Sequence, residues 1–350
     1  LSSPPFVAYS QELIIPQNHS PIDIENSGYS FDSSKLRKLP ETQLEKKVDE
    51  YAKSVGLKGQ KLDESFEVIH AHDWMAFPAA RELKKKTGKP MVAHVHSTEF
   101  DRAGLNIGNQ YIAKIEHEGM QSSDHVIAVS YYTKRLLVNK YGVDSKKISV
   151  VHNGTSKLSV PPDPGKHHFA QKRPVIVFMG RLTLQKGATY FLDLANEVLK
   201  DIPNALFVVA GAGDMYHELL FKTANSKLSA SIVFSGFVRA NQRRKLLNRA
   251  DVFVMPSVSE PFGLVAMEAA QRHTPVIVSK NAGVSEVLTG AEVVDFWDIN
   301  KMSKTILRLI NNKNYSNTVV NEQLDNIESQ TWKNSAEKVK RVYRKVFLGR

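Results

Sequence analysis

Cysteine is absent from the 350 residues, which excludes disulfides and thiolate-held metals and fits a reducing compartment, so the cytoplasm is the expected location. No apolar run approaches the roughly 20 residues that a membrane-spanning helix needs. A secretory leader is also lacking at the start, where Leu1 is an unusual first residue and a missing N-terminus is expected. No zinc finger or basic zipper is present, and aromatic residues are not interleaved with the basic clusters, so nucleic acid is not an expected partner. Internal repeats of solenoid length are absent too.

What remains is an ordinary globular composition, 42% hydrophobic, in a chain longer than one core usually supports, so two domains are expected. The net charge is +11, and it is unevenly placed. Residues 1–165 carry 21 basic and 20 acidic side chains, whereas 166–350 carry 26 and 16. A basic second half suits an anionic ligand such as a nucleotide diphosphate. An anionic membrane surface is a further possible partner, although no helix is rich enough in Trp and Lys to argue for it.

Residues 1–65 are broken by Pro4-Pro5, Pro16, Pro21 and Asn26-Ser27-Gly28 and read as extended loop, with one edge strand over 9–15 and a short helix over 41–55. From Phe66 the pattern alternates between apolar strands and amphipathic helices. Strands are expected at 68–72, 91–96, 125–129 and 148–151, with Ser130 as a helix N-cap. Pro161-Pro162-Asp163-Pro164-Gly165-Lys166 is the linker candidate. A second series follows, with strands at 175–178, 205–210, 232–235, 252–255 and 276–279 and a last helix over 332–347. Strands separated by helices imply parallel sheets, whose ligands gather at the carboxyl ends of the strands. The expected division is 1–165 and 166–331, the closing helix 332–350 returning to the first domain.

The stretch 257–268, Ser-Val-Ser-Glu-Pro-Phe-Gly-Leu-Val-Ala-Met-Glu, joins an apolar strand to a helix. Pro261 and Gly263 break the chain there, leaving the amides of Phe262, Gly263 and Leu264 free at a helix start, where a phosphate can be held without a metal. Glu260 and Glu268 lie a little over two helical turns apart and can accept hydrogen bonds from hydroxyls of one ligand, which points to a molecule with phosphate and polyol parts. Gly180-Arg181-Leu182 ends another strand, with Lys186-Gly187 close behind. A forked guanidinium and a point charge at that place can neutralise a diphosphate. Gly211-Ala212-Gly213 and Gly236-Phe237-Val238 end the next two strands, where close backbone approach to a ligand competes with a plain tight turn and with core packing.

In the earlier half, His70-Ala71-His72-Asp73-Trp74 and His94-Val95-His96 end neighbouring strands. Clustered histidines suggest metal, but the helical spacing of a zinc site is missing and acids are few, so no metal is expected. His70 and His94 read as packing residues alternating with His72 and His96, and Glu99 and Arg102 as further lining.

The Glu260-to-Glu268 stretch and the Gly-Arg...Lys-Gly pair together resemble the donor-site signatures of retaining GT-B glycosyltransferases, family 4, including glycogen-synthase-like members. That resemblance implies two Rossmann-like domains facing across a cleft, and a metal-independent hexosyltransferase without a cofactor. It implies Glu268 for the nucleotide ribose, Glu260 for the transferred sugar, Arg181 and Lys186 for the diphosphate, and His96 for sugar contact near the anomeric centre. Gly180, Gly211, Gly213, Phe237, Val238, Pro261, Phe262, Gly263 and Leu264 complete the implied donor site. His72-Asp73-Trp74 is similar to an acceptor-side motif, with Asp73 positioning the acceptor. The donor is then a UDP-, ADP- or GDP-hexose and the acceptor a hydroxyl, on a glucan or another glycoconjugate. The resemblance covers residues 66–350. The glycine-rich loop with which such proteins begin has no counterpart before residue 66, so the N-terminal domain is expected to be incomplete. A nucleotide-sugar epimerase of the same architecture and a truncated, non-catalytic sugar-nucleotide binding module are the alternatives.

Overall fold

The structure, a computed structural model, describes residues 40–61, 66–156, 158 and 173–348. The expected edge strand over 9–15 and the Pro-rich linker candidate lie outside them. The chain divides into two compact units, one of Leu1–Phe100, Ile107–Val151 and Ala336–Arg350, the other of Asp101–Asn106 and His152–Ser335.

The first unit runs α1 (Glu41–Lys61), β1 (Ile69–His72), α2 (Asp73–Thr87), β2 (Met91–Val95), the start of α3 (Glu99–Arg102), whose last two residues group with the second unit, α4 (Gln110–Ser122), β3 (His125–Ala128), α5 (Tyr131–Tyr141) and β4 (Ile148–Val150). Its sheet is parallel in the order β1-β2-β3-β4. All five residues of β2 are buried, the near-continuous apolar pattern of a strand covered on both faces. Because side chains alternate, Met91, Ala93 and Val95 enter the larger core with Leu44, Phe77, Ile112 and Leu137. Val92 faces the other way, into a smaller core with Ile127, Val151 and Val342. Val342 belongs to α12 (Trp332–Leu348), whose residues from Ala336 onward group with this unit. Helix ends follow local chemistry. The Ser130 hydroxyl caps α5 by accepting from Thr133 N–H at 3.0 Å, and Gly88 closes α2 in the left-handed conformation, donating its N–H to the Lys84 carbonyl.

The second unit contains β5 (Val175–Met179), α6 (Ala188–Val198), β6 (Leu206–Ala210), α7 (Tyr216–Ala224), β7 (Ile232–Gly236), α8 (Ala240–Arg249), β8 (Val252–Met255), α9 (Leu264–Ala270), β9 (Val276–Ser279), β10 (Glu292–Val294), α10 (Ile299–Asn311) and α11 (Lys313–Ile327). All described pairings in its sheet are parallel, in the order β10-β9-β8-β5-β6-β7. Its core gathers Phe178, Phe191, Phe207, Val254 and Ile306, every one of them almost fully buried. Among the described residues no helix is long and apolar enough to cross a membrane.

Candidate functional site

In the second unit the strand order reverses at β5, with β6 on one side and β8 on the other. The loops after β5 and β8 therefore flank a crevice at the carboxyl ends of the strands, where ligands of open α/β sheets bind. The backbone ties these loops together. The Gln185 carbonyl accepts from the N–H groups of both Val258 and Ser259, at 2.9 and 3.3 Å. That contact brings Lys186 Nζ to 2.6 Å from Glu260 Oε2, an ion pair whose side chains are 24% and 10% exposed. Glu260 is held further by its N–H to Asn281 and its carbonyl to Gly283. Arg181 is exposed on the same loop as Lys186 and makes no ion pair among the described residues. The amides of Phe262, Gly263 and Leu264 make no hydrogen bond within the described residues, so three donors stand at the start of α9.

The glycines serve backbone crossings. A Cβ on Gly211, where φ is +148°, would lie 1.8 Å from the Gly180 carbonyl oxygen. One on Gly213 would lie 2.3 Å from the Leu182 carbonyl oxygen. The Gly180 and Gly211 loops are accordingly stitched to each other, through Leu182 N–H to the Ala212 carbonyl at 2.9 Å, and to the strand ends beside them. Phe237 is exposed and Val238 half-buried just after β7, whereas the Pro261 and Phe262 side chains are buried.

Glu268 lies one turn into α9 and pairs with Arg243 Nε of α8 at 3.0 Å. Burial raises its carboxyl above the usual carboxylate range, an effect opposed by Arg243 and Arg272. It lines a cavity of about 550 Å³ together with Leu264, Arg243, Arg244, Gln271 and Arg272. Thus Glu260 and Glu268 have different basic partners, and the cavity is flanked by three arginines that the motif reading did not single out. A spacing rule had no means of finding Arg243, because its approach to Glu268 depends on the packing of α8 beside α9.

The first unit presents four histidines at the ends of β1 and β2. Here one expectation is corrected. His70 and His94 do not alternate with His72 and His96, because residues two apart in a strand share a face. The four rings pack together in two layers, and α12 meets them at His70. His70 Nε2 is 3.2 Å from His94 Nδ1, and His72 Nδ1 is 2.7 Å from His96 Nε2. The layers stack, with centroids 4.5 Å apart for His70 and His72 and 4.3 Å for His94 and His96. The Tyr343 hydroxyl of α12 lies 2.5 Å from His70 Nδ1, a partner far away in sequence. Burial, with neighbouring imidazoles adding to it, lowers His70 to about 3 and holds His94 well below its ordinary value.

The other members of the acceptor-like motif have structural work. Asp73 is buried with φ +57°, and its Oδ1 accepts from the backbone N–H of His96 at 2.7 Å. Trp74 is 4% exposed and lies in the larger core of this unit, so its indole offers almost no surface to a ligand. Glu99 is also buried, accepting from the Asn109 N–H, and does not line a surface as expected.

Two parallel α/β sheets, the second with cations and free amides at its strand-order reversal, define an α/β protein of GT-B type. Family models agree with that geometry. Glycosyltransferase Family 4 matches residues 38–156 and glycosyl transferases group 1 matches residues 160–324. An uncharacterized glycosyltransferase of Methanocaldococcus jannaschii, MJ1607, is 32% identical over 313 residues, covering 85% of this chain and 79% of that protein. The glycogen synthase of Mycobacterium tuberculosis is 29% identical over 249 residues, 68% of this chain and 58% of that protein. The crystal structure of Anabaena Alr3699/HepE in complex with UDP-glucose superposes with a TM-score of 0.70 at 17% identity, covering 83% of this chain and 81% of that one. The chain belongs to the family 4, group 1 glycosyltransferases.

Proposed function

We propose that this glycosyltransferase moves a hexose from a nucleotide diphosphate donor to a hydroxyl acceptor with retention of configuration, in the cytoplasm and without a metal in the transfer step. The observation that carries this reading is the Lys186–Glu260 pair, with the exposed Arg181 and the free amides on the same two loops, which flank the reversal of strand order. In glycosyl transfer the bond from the anomeric carbon to the phosphate oxygen breaks, and its electron pair leaves with the diphosphate. Arg181 and Lys186 neutralise that charge as it develops, the task on which preorganised electrostatics has most effect. The acceptor oxygen bonds to the anomeric carbon on the face that the diphosphate leaves, and its proton passes to a phosphate oxygen of the leaving group.

Glu260 keeps Lys186 in place before the donor binds, and then accepts from hydroxyls of the transferred sugar. Glu268, already aimed into a cavity, holds the ribose hydroxyls. On the first unit we assign sugar contact to His96, with Nδ1 the atom that makes it, because Nε2 is engaged by His72. The UDP-glucose complex of a protein with the same fold supports a UDP-hexose as donor. The likeness to a glycogen synthase supports a glucan among the acceptors. The test is donor screening followed by kinetics. Arg181→Ala, Lys186→Ala and Glu268→Ala should each lose transfer while keeping the native circular dichroism spectrum, and normal kinetics in all three would overturn the reading.

A further inference from the structure

We propose that His70, His72 and His94 form a binding site for a late divalent transition metal such as Zn²⁺ or Co²⁺, separate from the transfer chemistry. One ligand nitrogen from each of the three lies within 4.8 Å of the others. The His70 Nε2 to His94 Nδ1 distance of 3.2 Å already matches the ~3.3 Å between two nitrogens on a tetrahedral ion with Zn–N bonds of ~2.0–2.1 Å. Closing the site therefore needs rotation of imidazole rings and no movement of the strands. The strands are held in register, His72 of β1 opposite His94 of β2.

Three further observations point to an ion. His94 Nε2 is buried with no hydrogen-bond partner, so no bond at that nitrogen holds the ring against the rotation that presents it to an ion. The Tyr343 hydroxyl at His70 Nδ1 is the kind of outer partner that fixes a ligating imidazole, since a proton kept on Nδ1 frees the Nε2 lone pair. His72 is only half-buried, which provides a route from solvent to ligands otherwise enclosed. An all-imidazole set, in a protein without cysteine, selects zinc, cobalt, nickel or copper over calcium and magnesium. The ion would join β1 and β2 at their carboxyl ends, strengthening the first unit without taking part in the reaction.

The full-length chain, stripped with chelator and dialysed, would be titrated with Zn²⁺ alone and with Co²⁺ alone. The expected results are one ion per chain after gel filtration, a melting temperature that rises until one equivalent is added, and a visible Co²⁺ spectrum of tetrahedral or five-coordinate intensity. His94→Ala should reduce the retained metal at least tenfold, whereas His217→Ala, at a histidine of the second unit, should leave it unchanged. If His94→Ala does not fold, electron paramagnetic resonance of the Cu²⁺-loaded wild type decides, because two or more coordinated imidazole nitrogens are required. Failure of the wild type to retain an ion, retention by folded His94→Ala, or a copper spectrum without imidazole coupling overturns the proposal. Each readout is independent of sugar transfer, so the outcome stands whether or not the proposed reaction is correct.

Discussion

The polar residues at the strand ends of the two units are built on opposite principles. The second unit concentrates formal charge: Lys186 against Glu260, Arg243 against Glu268, and Arg181 exposed beside them. The first unit concentrates imidazoles, with its acids turned to backbone work, as Asp73 is toward His96. Charge held in such pairs can be handed to a ligand whose phosphates take the lysine while its sugar hydroxyls donate to the carboxylate left behind. Stacked, hydrogen-bonded rings, with burial disfavouring the charged form of His70, His72 and His94, orient one another and provide lone pairs, but are poorly suited to compensate a dianion. A charged crevice suits a diphosphate, and the histidine layer suits orientation or an ion that prefers nitrogen.

Substitutions can break this contrast. The largest expected effect is on turnover. Lys186→Ala should lower kcat by about 10²–10³-fold, the usual consequence of removing one preorganised charge partner of a transition state. If unfolding midpoints stay near wild type while kcat falls, the charge serves chemistry; an unchanged kcat would refute its role. On the other unit, Trp74→Phe should cost about 1–3 kcal/mol in denaturant-monitored stability by leaving a void in the core. The KM for acceptor should remain within about twofold if Trp74 only packs, and a KM rising without loss of stability would restore the acceptor-side reading.

Glu268→Gln keeps the shape of the side chain and removes its charge. Loss of a charged hydrogen bond to ribose is worth about 1.5–3 kcal/mol, so the KM for donor should rise by roughly tenfold or more. Calorimetry of donor binding separates that effect from any change in kcat.

The smallest effect concerns His125, a buried residue at the start of β3. Burial lowers it from 6.5 to about 4, with Lys345, Lys147 and Lys134 adding to the shift. Below pH 6.5 the unfolded chain takes up a proton at this residue that the native state refuses, so its contribution to stability falls as pH drops from 6.5 toward about 4. His125→Gln should therefore show a shallower decline of melting temperature over that window than wild type. Identical slopes would show that the native imidazole titrates normally.

Much of this architecture was legible beforehand because it rests on short-range chemistry. Strands β1 to β4 are apolar runs bounded by turns, and Ser130 caps its helix through a bond only three residues long. The crevice loops were found for the same reason, since Pro261, Gly263 and Gly187 interrupt the chain where strand passes to helix. The three-residue strand β10 and helix α11 were not assigned, the former being too short to show any period. His70 shares a face with His72, and His94 with His96, because two-residue spacing along a strand keeps side chains on one side, a rule that outweighs the packing role their burial suggests.

By itself the sequence determined the alternation of strand and helix, the positions where the backbone breaks, and the placement of cations and glutamates on those breaks, all properties of residues near one another in the chain. Only the tertiary structure decided which of those groups meet. Lys186 reaches Glu260 because the Gln185 carbonyl bridges two loops, Arg243 reaches Glu268 because two helices lie side by side, and Tyr343 reaches His70 across 273 positions of sequence. Such contacts depend on parallel strand order and helix packing, which bring distant residues together with no periodic trace in the chain.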